Sequence, residues 1–141
     1  MAVFNKFNAF NKDLSEKVHN LATDVLKVML TNTAPLAANS LKSDIVEIAG
    51  GNGYTAGGLI SAQVSSSQTG GVYKLVLTDV TFTATGGSIA AARYAVVYND
   101  TSAAPLKPLV GFYDYGSSII LAVGESLTVD FDATNGILQI N

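Results

Sequence analysis

A chain of 141 residues is the usual size of one domain, and its composition excludes several classes of protein. Apolar residue types make up 48% of the chain and charged types 13%, whereas about 25% of residues are charged in an average soluble domain. The eight basic residues are spread singly along a chain of formal net charge −3. No basic stripe is present to neutralise several phosphates, so we do not expect nucleic acid as a partner.

The chain contains no cysteine, which excludes disulfides and thiolate metal sites. No run approaches 18 consecutive apolar residues, and the start MAVFNKFNAF lacks a basic segment followed by an apolar one. We therefore expect no membrane span and no secretory signal in a protein that is made in a cytoplasm. A surface poor in charge is either covered by polar uncharged side chains or buried by partners, and both interpretations stay open.

The N-terminal third predicts one helix, one strand and a second short helix. Apolar residues recur at spacings of three and four in residues 7–21, which is typical of an amphipathic α-helix. The period changes to two in residues 24–31, which predicts a strand. Residues 41–48 place three apolar side chains on one helical face, with Ser40 as a possible N-cap.

The rest of the chain reads as a glycine-rich loop followed by short strands. The loop at 50–58 holds five glycines in nine residues, which suits backbone with positive φ angles. The predicted strands are 60–65, 72–77, 80–84, 93–98, 109–115, 119–123, 127–132 and 137–140. Segments 93–98 and 119–123 are apolar on both faces, as in central strands. A turn or bulge is required at residues 78–79, and Asn135-Gly136 is typical of a type I′ hairpin.

These elements predict a single domain over residues 1–141 that is mainly β. The expected fold is an antiparallel β-sandwich or barrel of about seven to nine short strands with an N-terminal amphipathic α-helix. Residues 1–23 form the arm and helix in this prediction, and residues 24–141 form the β domain.

No motif in the sequence predicts catalysis or a cofactor. The one histidine, His19, lies among polar helix positions with no second ligand or base at a recognised spacing, so we expect it at the surface. No serine lies in a GxSxG motif. Residues 51–56 match the loose pattern GxGxxG/A, but a strand follows them instead of a helix, so we interpret them as a structural loop.

Two weaker binding hypotheses stay open. Asp130 and Asp132 lie on one strand face, and with Asp114 or Glu125 they would supply hard oxygen ligands for calcium. A solvated strand face is the simpler interpretation of the same residues. The aromatic side chains would stack sugar rings in a lectin-like groove, although core packing explains most of them.

The sequence also resembles a family of small virion proteins of tailed bacteriophages. Five blocks carry the resemblance, in this order over nearly the whole chain: LKVMLTNTAP from Leu26, EIAGGNGYTAGG from Glu47, RYAVVYND from Arg93, PLVGFYDYGSSI from Pro108, and the closing FDATNGILQI. The resemblance implies a non-enzymatic, homo-oligomeric subunit without cofactors, which decorates or cements the head by binding the major capsid protein across subunit joints. Its expected location is the capsid surface of the virion, after assembly in the host cytoplasm.

Other interpretations stay open beside this one. They are a tail, neck or head-fibre protein, a carbohydrate-binding adhesin module, and a small enzyme of unknown type. An extended arm and a flexible loop reach a neighbour most easily, so we predict partner contacts at Phe4, Phe7, Phe10, Asn52 and Tyr54. Truncation of residues 1–10 is then expected to abolish assembly but not folding.

Overall fold

The fold, described for residues 2–141 from a computed structural model, is built from antiparallel strands and one short helix. In chain order the elements within these residues are β1 Asn5–Lys6, α1 Asn8–Ser15, β2 Leu26–Thr31, a 3-10 turn Lys42–Asp44, β3 Leu59–Ser61, β4 Gln63–Thr69, β5 Val72–Leu77, β6 Val80–Thr83, β7 Ile89–Asn99, β8 Leu109–Leu121, β9 Ser126–Val129 and β10 Leu138–Ile140. The prediction of a mainly β chain with antiparallel sheets is confirmed.

The strands form three sheets. The largest has the order β1-β8-β7-β2-β3, the second has the order β10-β5-β4, and the third is the pair β6-β9. In the five-stranded sheet, the central strands β2 and β7 pair without a break, from Leu26 opposite Asn99 to Thr31 opposite Tyr94. This regular ladder forms the centre of the sheet, with β3 on one side and β8 and β1 on the other.

Both faces of the five-stranded sheet are buried at its centre. One face shares a cluster of buried side chains with the two smaller sheets, in which Val28 and Val97 belong with Leu75 and Phe82. The opposite face carries a second cluster formed by Phe7, Met29, Val96, Tyr98 and Leu109. The prediction that segment 93–98 is a central strand covered on both sides is therefore confirmed.

The helical predictions were too long. The α-helix ends at Ser15. Lys17 adopts a φ angle of 65°, which is incompatible with a right-handed α-helix. Residues 18–21 lie outside the helix although they continue its apolar pattern. The second helix is wrong: only the 3-10 turn forms, and Ser40 is not its N-cap. Instead, Asp44 closes this turn by accepting hydrogen bonds from the backbone N–H groups of Ser40 and Leu41.

Several strand boundaries also differ from those predicted. The predicted strand 60–65 is divided between β3 and β4. Segments 109–115 and 119–123 were predicted as two strands, but residues 109–121 form the single strand β8 and residues 122–123 lie beyond its end. Segment 119–123 is not covered on both sides, because Ile120 and Val123 are each 64% exposed. Residues 78–79 form neither the bulge nor the tight turn that was predicted, because the chain passes there from the three-stranded sheet into the pair β6-β9.

The predicted hairpin at Asn135-Gly136 is also wrong. Strand β9 pairs with β6, whereas β10 pairs with β5, so no hairpin joins β9 to β10. Gly136 does adopt a positive φ of 75°. The turn is closed by Asp132, whose carboxylate accepts hydrogen bonds from the backbone N–H groups of Thr134 and Asn135.

Candidate docking surface

Three of the five predicted contact residues are part of the core. Phe7 is 1% exposed, Phe10 is 0% exposed and Tyr54 is 2% exposed. A side chain buried within its own chain has no surface to offer a partner, so the prediction of partner contacts is corrected for these three residues. The same burial contradicts the expectation that truncation of residues 1–10 leaves folding intact, because the truncation removes two core phenylalanines.

The other two predicted contact residues are accessible to different degrees. Phe4 is half-buried, with its ring centroid 5.1 Å from that of Tyr113. Asn52 is exposed, and its side-chain amide donates a hydrogen bond to the backbone carbonyl of Ser88 at 2.9 Å. The hydrogen bond ties the glycine-rich loop to the start of β7, so the loop is held on the body of the protein.

Tyr54 is buried because the glycine-rich loop folds over a polar network centred on Glu47. Its carboxylate accepts hydrogen bonds from the Tyr54 hydroxyl at 2.7 Å, from the backbone N–H of Gly57 and from Lys42 Nζ at 2.9 Å. Burial alone would raise the pKa of Glu47, but these hydrogen bonds outweigh it and hold the pKa below its usual value. Glu47 is therefore charged in the folded protein, and its role is structural, because its carboxylate accepts hydrogen bonds from these three donors. It is not poised to act as a general base.

The most irregular feature of the large sheet is a bulge in β8. Ala92 lies opposite Ile119 and Tyr94 lies opposite Asp114, so a single β7 residue, Arg93, faces residues 115–118. Arg93 binds both carboxylate oxygens of Asp114, with N–O distances of 2.8 and 2.9 Å. Bulges of this kind often occur beside functional sites, where they redirect side chains away from the ladder.

An apolar cavity of about 180 Å³ lies behind this bulge. Leu30, Ala92 and Ala95 form part of its wall, and Tyr115 and Ile119 line it from β8. Strand β9 and the residue after it contribute Leu127, Thr128, Val129 and Asp130 to the lining. Because two alanines stand where larger core residues would fill the space, the sheet leaves a recess that an apolar group can enter.

The segment that borders the cavity also exposes apolar side chains to solvent. We call residues 115–123 the bulge segment. Within it Tyr115 is 59% exposed, and Ile120 and Val123 are as exposed as noted above. Exposed apolar patches mark sites of interaction, so three large exposed apolar side chains within nine residues make this segment a candidate. In the sequence, Gly116-Ser117-Ser118 separates the predicted strands 109–115 and 119–123, and no bulge was predicted there.

Charged groups near the cavity are mostly engaged with other parts of the chain. Burial, followed by the charges of Asp132 and Asp130, raises the pKa of Tyr113 to about 12, so this phenol is neutral. Of the four carboxylates considered for calcium, Asp114 binds Arg93, Asp132 closes a turn, and Glu125 accepts from the backbone N–H of Ala122 at 2.8 Å. Within residues 2–141 no three His, Asp or Glu side chains are grouped so as to hold a metal ion.

His19 is not at the surface, contrary to the prediction. It is 4% exposed and lies beside Phe10 and a polar cluster that contains Asp24 and Asn99. Burial lowers its pKa, and the nearby charges of Asp13 and Asp24 only partly oppose this effect. The misplaced prediction followed from extending the helix to residue 21, which put His19 on its polar face.

Comparison with protein-family models, curated proteins and solved structures found no match for this chain. Among residues 2–141 there is no helix with the length and apolar character needed to cross a membrane. The bulge segment, which combines exposed apolar side chains with residues that line the cavity, is the candidate docking surface of this chain.

Proposed function

We propose that the chain is a non-enzymatic structural protein of a phage virion, and specifically a capsid decoration or cement protein that binds across subunits of the head shell. Its partners are then the major capsid protein and further copies of itself, and its location is the capsid surface after assembly in the host cytoplasm. We also propose that the five-stranded sheet and the two smaller sheets pack as a β-sandwich, since they share one buried cluster.

One observation carries the proposal more than any other. The bulge segment presents the apolar side chains of Tyr115, Ile120 and Val123 to solvent, and Tyr115 and Ile119 of the same segment line an apolar cavity. Burial of such surface contributes about 25 cal/mol per Å², and a neighbour needs no charged partner groups to gain it. The resemblance of the five ordered sequence blocks to small phage virion proteins supports the same function.

The proposed mechanism is mechanical. A subunit that covers apolar surface on both sides of a joint adds free energy of association that the bare shell lacks. On a symmetric particle the same contact recurs at every equivalent joint, so a moderate affinity per copy is multiplied. The chain's low charge reduces the desolvation cost of each contact.

The test is to count copies of the chain in purified particles by quantitative mass spectrometry, after mild shear separates heads from tails. Many copies in the head fraction would support the proposal. A tail location would contradict it and favour a tail, neck or fibre protein. Absence from both fractions would overturn the virion function, and binding on a glycan array would then favour a carbohydrate-binding adhesin module.

A matched pair of variants tests the docking surface. Ile120→Glu/Val123→Glu places two carboxylates on the exposed apolar side chains of the bulge segment, whereas Ser117→Glu/Ser118→Glu adds the same charge to exposed polar positions of that segment. We expect only the first variant to lose binding to heads that lack the native protein. Equal binding by both variants would exclude this surface as the docking site.

A further inference from the structure

Strand β4 is the longest edge strand of the three sheets within residues 2–141. It spans Gln63–Thr69, whereas the edge strands β1, β3 and β10 have two or three residues each. Strand β5 occupies one side of β4, and residues 64–69 make no backbone hydrogen bond to any other part of residues 2–141. An open edge of this length presents unpaired N–H and C=O groups, which are a template for another strand.

The usual protections of an edge strand are missing over most of β4. Its sequence, QVSSSQT, contains no charged residue and no proline. The single irregularity falls between Gln63 and Ser65, and pairing with β5 is regular from Ser65 to Thr69. Natural edges are commonly guarded by lysine, proline, bulges or short length, so this stretch remains competent to pair.

We propose that β4 pairs antiparallel with β4 of a second copy of this chain. With Ser66 at the two-fold axis, Ser65 of one copy lies opposite Ser67 of the other. Because β4 carries no charge, two copies of it can pair without repulsion. This favours a second copy of the strand as the partner over a strand that carries charge. The one charged residue of β5, Lys74, would lie about 16 Å from its symmetry mate, three strand spacings across and two residues along the strands, where salt largely screens repulsion.

The fold already uses the side-chain chemistry that this pairing requires. Ser65 and Ser67 lie on one face of β4, with their hydroxyl oxygens 3.1 Å apart. In the antiparallel pair β6-β9, exposed hydroxyls face each other across the strands: Thr81 with Thr128 at 2.8 Å and Thr83 with Ser126 at 2.7 Å. Opposed Ser and Thr pairs of this type stabilise antiparallel ladders. The dimer would join two three-stranded sheets into one of six strands.

This interface does not depend on the virion function, because it concerns the purified chain alone. Light scattering over a range of protein concentrations should give a mass that rises to twice the 14.6 kDa of one chain. Amide hydrogen exchange should slow in residues 64–68 as the mass rises. A mass of one chain at every concentration, or a dimer with unchanged exchange in these residues, would overturn the proposal.

A charge-swap pair of variants tests the register. In Ser65→Lys/Ser67→Lys the introduced lysines face each other across the two-fold axis, so the protein should remain monomeric. In Ser65→Lys/Ser67→Glu each lysine faces a glutamate of the other copy, so the dimer should persist and weaken as salt is added. Circular dichroism of both variants checks that they fold. A dimeric double-lysine variant, or a folded but monomeric lysine–glutamate variant, would refute this pairing.

Discussion

The hydroxyl of Tyr54 joins the glycine-rich loop to the central sheet through Glu47. It donates to the Glu47 carboxylate at 2.7 Å and accepts from the backbone N–H of Leu30 at 3.0 Å. Because Leu30 lies in β2, one phenol links the loop, the segment before it and the large sheet. This connection explains why a loop so rich in glycine is held in one conformation.

Replacing Glu47 by glutamine should lower the free energy of unfolding by about 1–3 kcal/mol, because the oxygen that accepts from Lys42 becomes an amide nitrogen, and the hydrogen bonds that the other oxygen accepts from Tyr54 and Gly57 lose the charge of the acceptor. Chemical denaturation measures this difference. Glu16→Gln is the matched control, since Glu16 forms only an exposed pair with Lys12, and its effect should stay within about 0.5 kcal/mol. Equal losses in the two variants would contradict a structural role for Glu47.

The pKa of Glu47 also predicts acid sensitivity. Its folded pKa lies below the usual value of 4.5, so the folded state favours the charged carboxylate. That contribution is present above pH 4.5 and is lost as the pH falls through the folded pKa. Denaturation curves at decreasing pH should therefore converge for the native protein and Glu47→Gln, and a constant difference would argue against this assignment.

Gly58→Ala should be strongly destabilising, because Gly58 adopts φ 74° and an added β-carbon would overlap the backbone carbonyl of Val28. Gly70→Ala is the control: Gly70 has φ 59°, but nothing lies within 4 Å of its added β-carbon. The control should cost about 1–2 kcal/mol for the left-handed conformation alone. Gly58→Ala should exceed it by about 1–3 kcal/mol in thermal or chemical denaturation. Similar losses would show that the loop relaxes away from β2.

Local patterns predicted the strands well where one face is buried and the ladder is regular. Segment 72–77 matches β5, because its core-facing residues Tyr73, Leu75 and Leu77 recur at every second position. The helix was overextended because Leu21 continues the 3.6-residue period although its burial comes from the segment after the helix. Periodicity reports which side chains are buried, and it does not report the backbone conformation that buries them.

The candidate surface was harder to predict than the fold. The predicted contact residues included Phe7, Phe10 and Tyr54, because an N-terminal arm and a glycine-rich loop were expected to extend from the surface. In the structure all three side chains are buried. Ile120 looked like a core residue because its segment is uniformly apolar, yet it is exposed beside the bulge. Which apolar residues are left outside depends on how the sheets pair, and that is a long-range property.

Phe10→Ala should cost about 3–5 kcal/mol, the usual loss for a fully buried phenylalanine. Phe4→Ala should cost less, about 1–2 kcal/mol, because Phe4 is only half-buried. Thermal unfolding of both variants measures the difference. A Phe4 variant that loses as much as the Phe10 variant would show that the N-terminal arm is as firmly packed as the helix.

The orientation of the Asn99 side chain determines the state of His19. Asn99 Oδ1 accepts hydrogen bonds from the backbone N–H groups of Thr101 and Ser102, at 2.9 and 3.3 Å. Its Nδ2 group therefore points toward Asp24 and lies 3.2 Å from Nδ1 of His19. Because Nδ2 can only donate, Nδ1 must accept, and the neutral ring carries its proton on Nε2. If Nδ1 of His19 were protonated, its N–H would face the N–H of Asn99 Nδ2, and neither group could accept a hydrogen bond from the other.

Stability should therefore fall as the pH drops below the usual histidine pKa of 6.5. The folded pKa of His19 is lowered, so the unfolded chain binds more protons below pH 6.5 and acid favours unfolding, with a slope of at most about 1.4 kcal/mol per pH unit. His19 is the chain's one histidine, and no other side chain ordinarily titrates between about pH 5.5 and 7.5. Denaturation across this window should show the slope in the native protein and a flat profile in His19→Gln. An unchanged slope in the variant would assign the effect to another group.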